Sequence, residues 1–319
     1  MDMSDATRTG PGLRGTLRHD EPMAKHVSWR AGGRAQLFFQ PADIADLSAF
    51  LRSLPAGLPV LFIGLGSNLL VRDGGFPGAI LLTHHALTGI ALQNRDSPGF
   101  SAGQKNRDCP GFLVEAGAGV PAPHLARFVA KHGGGGAEWM AGVPGTVGGA
   151  LAMNAGCYGG ETWNHVRCVQ TIDRAGTLRH RLPADYEIGY RHVRPLVGAD
   201  EWFVSAQFEF PPGDEAEAMG RMRSLLARRV ASQPLNQPNA GSVFRNPPGD
   251  HAARLIESCG LKGFTIGAAQ VSPKHANFIV NRGGASAADI EALVDPVQAE
   301  VAARTGVELV REVRIVGEP

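Results

Sequence analysis

Two glycine-rich tracts carry the residue types best suited to holding a ligand. The first is Gly64-Leu65-Gly66-Ser67-Asn68. Its glycines let the backbone turn N–H groups toward an anion, and Ser67 and Asn68 add donors. A tight turn between two strands suits the same five residues. It is not a dinucleotide fingerprint of the Rossmann kind: the third glycine is missing, and the strand-like Leu69-Leu70-Val71 follows where a helix N-terminus would have to meet a pyrophosphate. The second tract is Ala141-Gly142-Val143-Pro144-Gly145-Thr146-Val147-Gly148-Gly149-Ala150, continued by Met153-Asn154-Ala155-Gly156. Glycine in regular structure costs roughly 0.5–1 kcal/mol relative to alanine, so a packed core has no use for this tract, whereas an extended anionic cofactor does. A run of turns is the competing reading. A third segment, His132-Gly133-Gly134-Gly135, echoes the oxyanion element of lipases. That chemistry also needs a G-x-S-x-G elbow. None exists, because Ser242 in Ala240-Gly241-Ser242-Val243-Phe244 lacks the second glycine, and a serine hydrolase is set aside.

These tracts must be positioned by a real core, and 319 residues suffice for one to three domains. Glycine makes up 42 of the 319, about twice the usual share of roughly 7%, and its clustering suggests backbone that approaches a ligand closely. The 31 Lys and Arg against 30 Asp and Glu leave no polybasic footprint for nucleic acid or an anionic membrane. No apolar run approaches a membrane span, and Met1 to Pro22 lacks the apolar centre of a secretory signal. The four cysteines, Cys109, Cys157, Cys168 and Cys259, are far apart and form no metal-ligand set, which fits a reducing cytoplasm.

Residues 1–20 read as a mobile tail. Strands are expected at Arg34 to Gln40, Pro59 to Ile63 and Leu69 to Val71. Helices are expected at Ala42 to Leu54, Pro123 to His132 with Gly133 as its stop, Glu215 to Arg229, and His251 to Cys259 with Asp250 as N-cap. A last helix begins at Ser286, where Asp289 completes a capping box, and a strand from Val307 to Val316 closes the chain. The mixture favours an α+β fold. Asn94 to Phe100 recurs almost intact as Asn106 to Phe112 and reads as a duplicated surface loop.

Seven segments in order resemble the UDP-N-acetylenolpyruvoylglucosamine reductase family, in its shorter type II subtype, from about residue 25 onward. They are Trp29-Arg30-Ala31-Gly32-Gly33; Gly64 to Leu70; Ala141 to Ala150; Tyr190-Arg191; Gln233 to Pro247 around Ser242; and Ala269 to Asn281, with Glu312-Val313-Arg314 at the end. The resemblance implies two subdomains clasping FAD in the manner of vanillyl-alcohol-oxidase/PCMH flavoproteins, at 21–85 (with 307–319 returning to it) and 86–213, and a C-terminal α+β substrate domain at 214–306. It implies NADPH as reductant and an enolpyruvyl ether on a UDP-amino sugar as substrate; the lack of an exposed heptad or obvious apolar patch in the sequence favours a monomer.

The resemblance also assigns residues. Gly64, Gly66, Ser67, Asn68, Gly142, Pro144, Gly145, Thr146, Gly148, Gly149 and Asn154 would contact FAD. Ser242 would be the proton donor. Arg191 would meet the substrate carboxylate through its forked donors, and Glu312 would be an acid–base partner or polarise the enol. Tyr190, Arg245, Asn246, Lys262, Gln270, Lys274 and His275 would serve the UDP diphosphate or sugar. Taken without it, Ser242 reads as a turn serine, Arg191 as a surface arginine and Glu312 as part of a solvated strand face. Two departures stand out. Val193 replaces the serine that usually follows the Tyr-Arg pair. Ser232 stands where relatives carry lysine, which shifts a cationic contact toward Arg228 or Arg229. The same glycine tracts also suit another flavin oxidoreductase of this superfamily acting on an alcohol or sugar, or a nucleotide-binding module without catalysis.

Overall fold

A computed structural model describes residues 12–93, 111–198 and 200–319; the duplicated loop segment except Gly111 and Phe112, and Cys109, lie outside them. Near the N-terminus, a four-stranded sheet has the order Thr16–Pro22, Arg34–Gln40, Phe76–Leu82, Val60–Ile63. Its first pair is antiparallel and the other two pairs are parallel. Helix α1 (Ile44–Ser53) lays Leu47, Phe50 and Leu51 against Phe39 and Leu81 of this sheet. Asp43 caps it by accepting the Asp46 N–H at 2.9 Å. The strand at Arg34–Gln40 forms where expected, for its apolar residues meet both faces of a covered sheet. The expected tail boundary at residue 20 is corrected, because Thr16–Pro22 is an ordered edge strand.

A second sheet is antiparallel throughout, in the order Leu178–Arg181, Val166–Asp173, Glu201–Phe210, Phe112–Gly117, Ile90–Leu92. Helices α2 (Ala122–Lys131) and α3 (Val147–Met153) pack on it around Leu125, Val129, Leu151 and Phe208. Helix α2 ends before Gly133, which takes φ +84° as a helix stop should. A hairpin, Tyr186–Gly189 with His192–Pro195, projects from this region.

Helix α4 (Glu215–Ser232) packs Ala218 and Met222 into the core of the second sheet, and the C-terminal part holds α5 (Ala252–Ser258), α6 (Ala287–Thr305) and a three-stranded sheet of Thr265–Ile266, Ala269–Val271 and Ile279–Asn281. The capping box at Ser286 and Asp289 is present. Asp250 does not cap α5. Instead Asn246 Oδ1 accepts the Ala252 N–H at 3.1 Å, and Asp250 pairs with Arg254, which the i, i+4 spacing allows. This core also takes in Trp29 and Leu70 from the N-terminal part. Trp29 Nε1 donates to Ile279 O at 2.8 Å, and Asn281 Nδ2 donates back to Trp29 O at 2.9 Å.

The closing strand is shorter than expected. Only Arg314–Val316 is strand, pairing in parallel with Leu69–Val71. The stretch before it is committed elsewhere, as Glu312 N–H donates to Val243 O at 2.8 Å. Among the described residues no helix is long and apolar enough to cross a membrane.

Candidate active site

One cavity of about 700 Å³ lies where the three parts meet, with walls drawn from residues 60–69, 142–158, 191–203, 229–242 and 312–314. Both glycine tracts line it. Gly64, Gly66, Ser67 and Asn68 stand on one side, and Gly142, Pro144, Gly145, Thr146, Gly148 and Gly149 on another. The first tract is a turn between strands. The second breaks into helix α3 at Val147, which the glycine content concealed.

The glycines fall into two kinds. At Gly66 the protein itself forbids a side chain, since φ is +58° and a Cβ would sit 2.2 Å from His26 O. At Gly145 and Gly149 the nearest protein atoms to a Cβ are Ser67 Oγ at 3.5 Å and Thr146 Oγ1 at 4.0 Å. A side chain there would enter the cavity, not the protein. Thr146 Oγ1 is itself buried with no hydrogen-bond partner. Reserved volume beside a buried, unanswered hydroxyl fits a bound group that fills the one and satisfies the other.

Arg191, Ser242 and Glu312 line the same cavity. Arg191 sits at the hairpin tip with φ +53°, and its three guanidinium nitrogens are each engaged. Nε donates to Glu312 Oε1 at 3.1 Å, Nη1 to Asn154 O at 3.2 Å and Nη2 to Gly156 O at 2.5 Å. Burial pushes the Glu312 carboxyl above the usual range, while Arg191 and Arg245 pull it back. Glu312 is also tied by its backbone, whose carbonyl accepts from Asn68 Nδ2 at 3.1 Å. Ser242 follows Gly241, which takes φ +75°. The segment is clamped by Asn277, 3% exposed, whose Oδ1 accepts the Phe244 N–H at 2.9 Å and whose Nδ2 donates to Phe244 O at 2.8 Å.

Sequence reasoning passed over Asn277, although an amide between Ala276 and Phe278 in an apolar run is a signal of such a clamp. It also missed Tyr158, whose hydroxyl donates to Leu225 O at 3.1 Å, and the apolar end of the cavity, where Phe62 stacks on Trp202 at 4.9 Å. Arg229 lines the cavity and Arg228 does not; Arg228 lies over the Tyr158 ring. Burial lowers the Arg229 pKa, and its Nε donates to Gln233 Oε1 at 2.9 Å. Cys157 also faces the cavity, but burial pushes its thiol up to about 11, so it is not a thiolate.

Several expected contacts lie off the cavity wall. Asn154 is 1% exposed and turns its amide toward Gly189 O and Glu161. Tyr190 is exposed beside Arg191. Asn246 caps α5, Lys262 pairs with Glu257, Gln270 donates to Gly263 O, and Lys274 donates to Val230 O. Arg245 leaves Nε buried without a partner, as does His275 with Nδ1. None of these eight lines the cavity.

Comparison with known proteins agrees with this architecture. Residues 35–181 match the family model described as FAD binding domain. Residues 233–316 match the model of the UDP-N-acetylenolpyruvoylglucosamine reductase C-terminal domain. The chain is 56% identical to the UDP-N-acetylenolpyruvoylglucosamine reductase of Thiobacillus denitrificans, covering 97% of this chain and 95% of that protein. It is 49% identical to the reductase of Legionella pneumophila, covering 100% and 96%. The crystal structure of the Thermus caldophilus enzyme of the same name superposes with a TM-score of 0.75 at 28% identity, covering 95% of this chain and 99% of that one. With matches running end to end over full-length relatives, the chain belongs to the UDP-N-acetylenolpyruvoylglucosamine reductase family.

Proposed function

We propose that this chain uses NADPH and FAD to reduce the enolpyruvyl ether of UDP-N-acetylglucosamine to the lactyl ether, a step toward peptidoglycan. One observation carries the reading: Arg191, Ser242 and Glu312 share a single cavity with both glycine tracts. Gly64 to Asn68 and Gly142 to Gly149 would hold FAD, which would answer Thr146 Oγ1 and, reduced by NADPH, would supply hydride chemistry at the terminal alkene carbon.

The chain's own residues handle the rest. Negative charge develops on the adjacent carbon and spreads into the carboxylate, and the guanidinium of Arg191 meets it with the N–H groups that Glu312, Asn154 and Gly156 leave free. Ser242 Oγ gives the proton to that carbon; a neutral hydroxyl is a weak acid, but a carbanionic centre is basic enough to take its proton when geometry is fixed. Gly241, with no Cβ, lets that hydroxyl come close. Glu312, whose carboxyl pKa is raised above the usual range by burial, steers Arg191 through its Nε, and the proton that Ser242 gives up is restored from solvent. Arg229 serves the diphosphate in place of the lysine that Ser232 replaces. The near balance of 31 Lys and Arg against 30 Asp and Glu favours no nucleic acid partner, and a monomer working in the cytoplasm completes the reading.

The test is spectral. Purified protein should be yellow, bleach with NADPH in the absence of oxygen, and regain colour on adding the enolpyruvyl substrate. A protein that takes up FAD but is bleached by simple alcohols and regains colour only with oxygen would instead be another flavin oxidase of this superfamily.

A further inference from the structure

We propose that Asn154 is a positioning residue for Arg191, holding it at both the backbone and the guanidinium. This rests on the role given above to Arg191.

Asn154 ends helix α3 in the left-handed region, at φ 42° and ψ 52°. That conformation is unfavourable for residues with a Cβ, and asparagine is among the few that adopt it readily. Its position lets one residue act in two directions. Its main-chain carbonyl accepts from Arg191 Nη1 at 3.2 Å. Its side-chain Nδ2 donates to Gly189 O at 3.0 Å, in the strand that leads into the two-residue Tyr190-Arg191 turn. The other bonds of the amide keep it from rotating: Nδ2 also donates to Glu161 Oε2 at 3.0 Å, and Oδ1 accepts the Trp163 N–H at 3.1 Å.

The arrangement matters because Arg191 is itself left-handed at φ 53°. An arginine in that region at a hairpin tip holds its place only where neighbours over-determine it. The hairpin is two-stranded and lies outside the larger sheets. Its tip is therefore pinned from outside, and Asn154 does the pinning. Helix α3 begins in the second glycine tract, so the same seven-residue helix joins the cofactor wall to the placement of Arg191.

Asn154→Gly separates the two functions. Glycine keeps the left-handed backbone and the carbonyl for Nη1 but loses the amide. The FAD-loaded variant should keep its flavin content, its thermal midpoint within a few degrees, and its rate of flavin reduction by NADPH. The enolpyruvyl substrate should perturb the flavin spectrum only at higher concentration, and reoxidation should slow by roughly 100-fold, the scale of a 1 Å misplacement. In an Arg191→Ala background the same substitution should cost nothing further, because a residue acting through Arg191 has nothing left to act on.

If Asn154→Gly does not fold, Asn154→Asp keeps the acceptor for Trp163 and tolerates the same backbone, and the same split is expected of it. Additive losses in the double variant, equal slowing of both half-reactions, or flavin loss in both variants would each overturn the proposal and make Asn154 ordinary scaffold. The Arg191→Ala variant alone reports on the underlying reading: if it reoxidises at the unsubstituted rate, the role of Arg191 is wrong. If it is slow while Asn154→Gly is not, only the present proposal falls.

Discussion

The cavity has two unlike walls. The one made by residues 64–68 and 142–149 is largely backbone, and its character comes from missing side chains. The one made by Arg191, Arg229, Ser242 and Glu312 is side chain, and its Arg191–Glu312 pair joins positions 121 residues apart. The difference separates two kinds of recognition. A backbone wall works by shape and exclusion, so a single added carbon either fits or does not. A side-chain wall works by charge and proton position, so its substitutions should be graded and confined to one half of the reaction.

The largest effects should come from the backbone wall, and they divide it further. Gly66→Ala adds a Cβ 2.2 Å from His26 O in a strained backbone. It should lower the thermal midpoint and yield colourless protein. Gly145→Val puts its carbons into the cavity, with no protein atom nearer to its Cβ than 3.5 Å. It should also be colourless, yet melt near the unsubstituted protein. Visible spectra and melting curves on the pair check this; a yellow Gly145→Val would mean the reserved space is not the cofactor's.

Ser242→Ala comes next. Its flavin should still be reduced by NADPH, while reoxidation by substrate slows about 100- to 10,000-fold, the usual reach of a positioned proton donor. Stopped-flow absorbance on each half-reaction decides it, and fast reoxidation removes Ser242 from the role. A smaller effect is expected at the clamp beneath that serine. Asn277→Ala leaves the Phe244 N–H and carbonyl without their partner in a buried place, at a cost of about 1–3 kcal/mol for an unsatisfied group, readable as a shifted denaturation midpoint.

The smallest effect concerns pH. Burial raises the Glu312 pKa in the folded protein. Its contribution to stability is therefore full below the unfolded value of about 4.3 and is lost as pH rises through the raised folded value. Glu312→Gln removes that slope. The difference in unfolding free energy should move in the variant's favour as pH climbs through this window, and a difference that is flat or moves the other way would contradict the burial argument.

Much of the fold was legible where one short stretch carried the whole cause. The strand at Arg34–Gln40 shows in its apolar content. The start of α4 at Glu215 shows in Asp214, whose side chain accepts the Glu217 N–H, and that of α6 in its capping box. The end of α2 shows in Gly133. Helix α3 was not legible, because glycines at 148 and 149 oppose helix by local propensity and only packing on Ala118 and the second sheet overrides them. The cap of α5 was misassigned for a related reason: Asp250 is the local acid next to the helix, and only the path of the loop brings Asn246 to Ala252.

What the amino-acid order determined by itself was the kind of surface available: two glycine tracts free of side chains, a glycine-serine pair, an arginine after a tyrosine, and a glutamate near the end. Those follow from residue identity alone. Their meeting was decided by tertiary structure. Arg191 and Glu312 are 121 residues apart, and Asn68 and Glu312 are 244 apart. No local rule reaches that far, because such contacts exist only once separate cores have packed and the entropy of closing those long loops has been offset by burial.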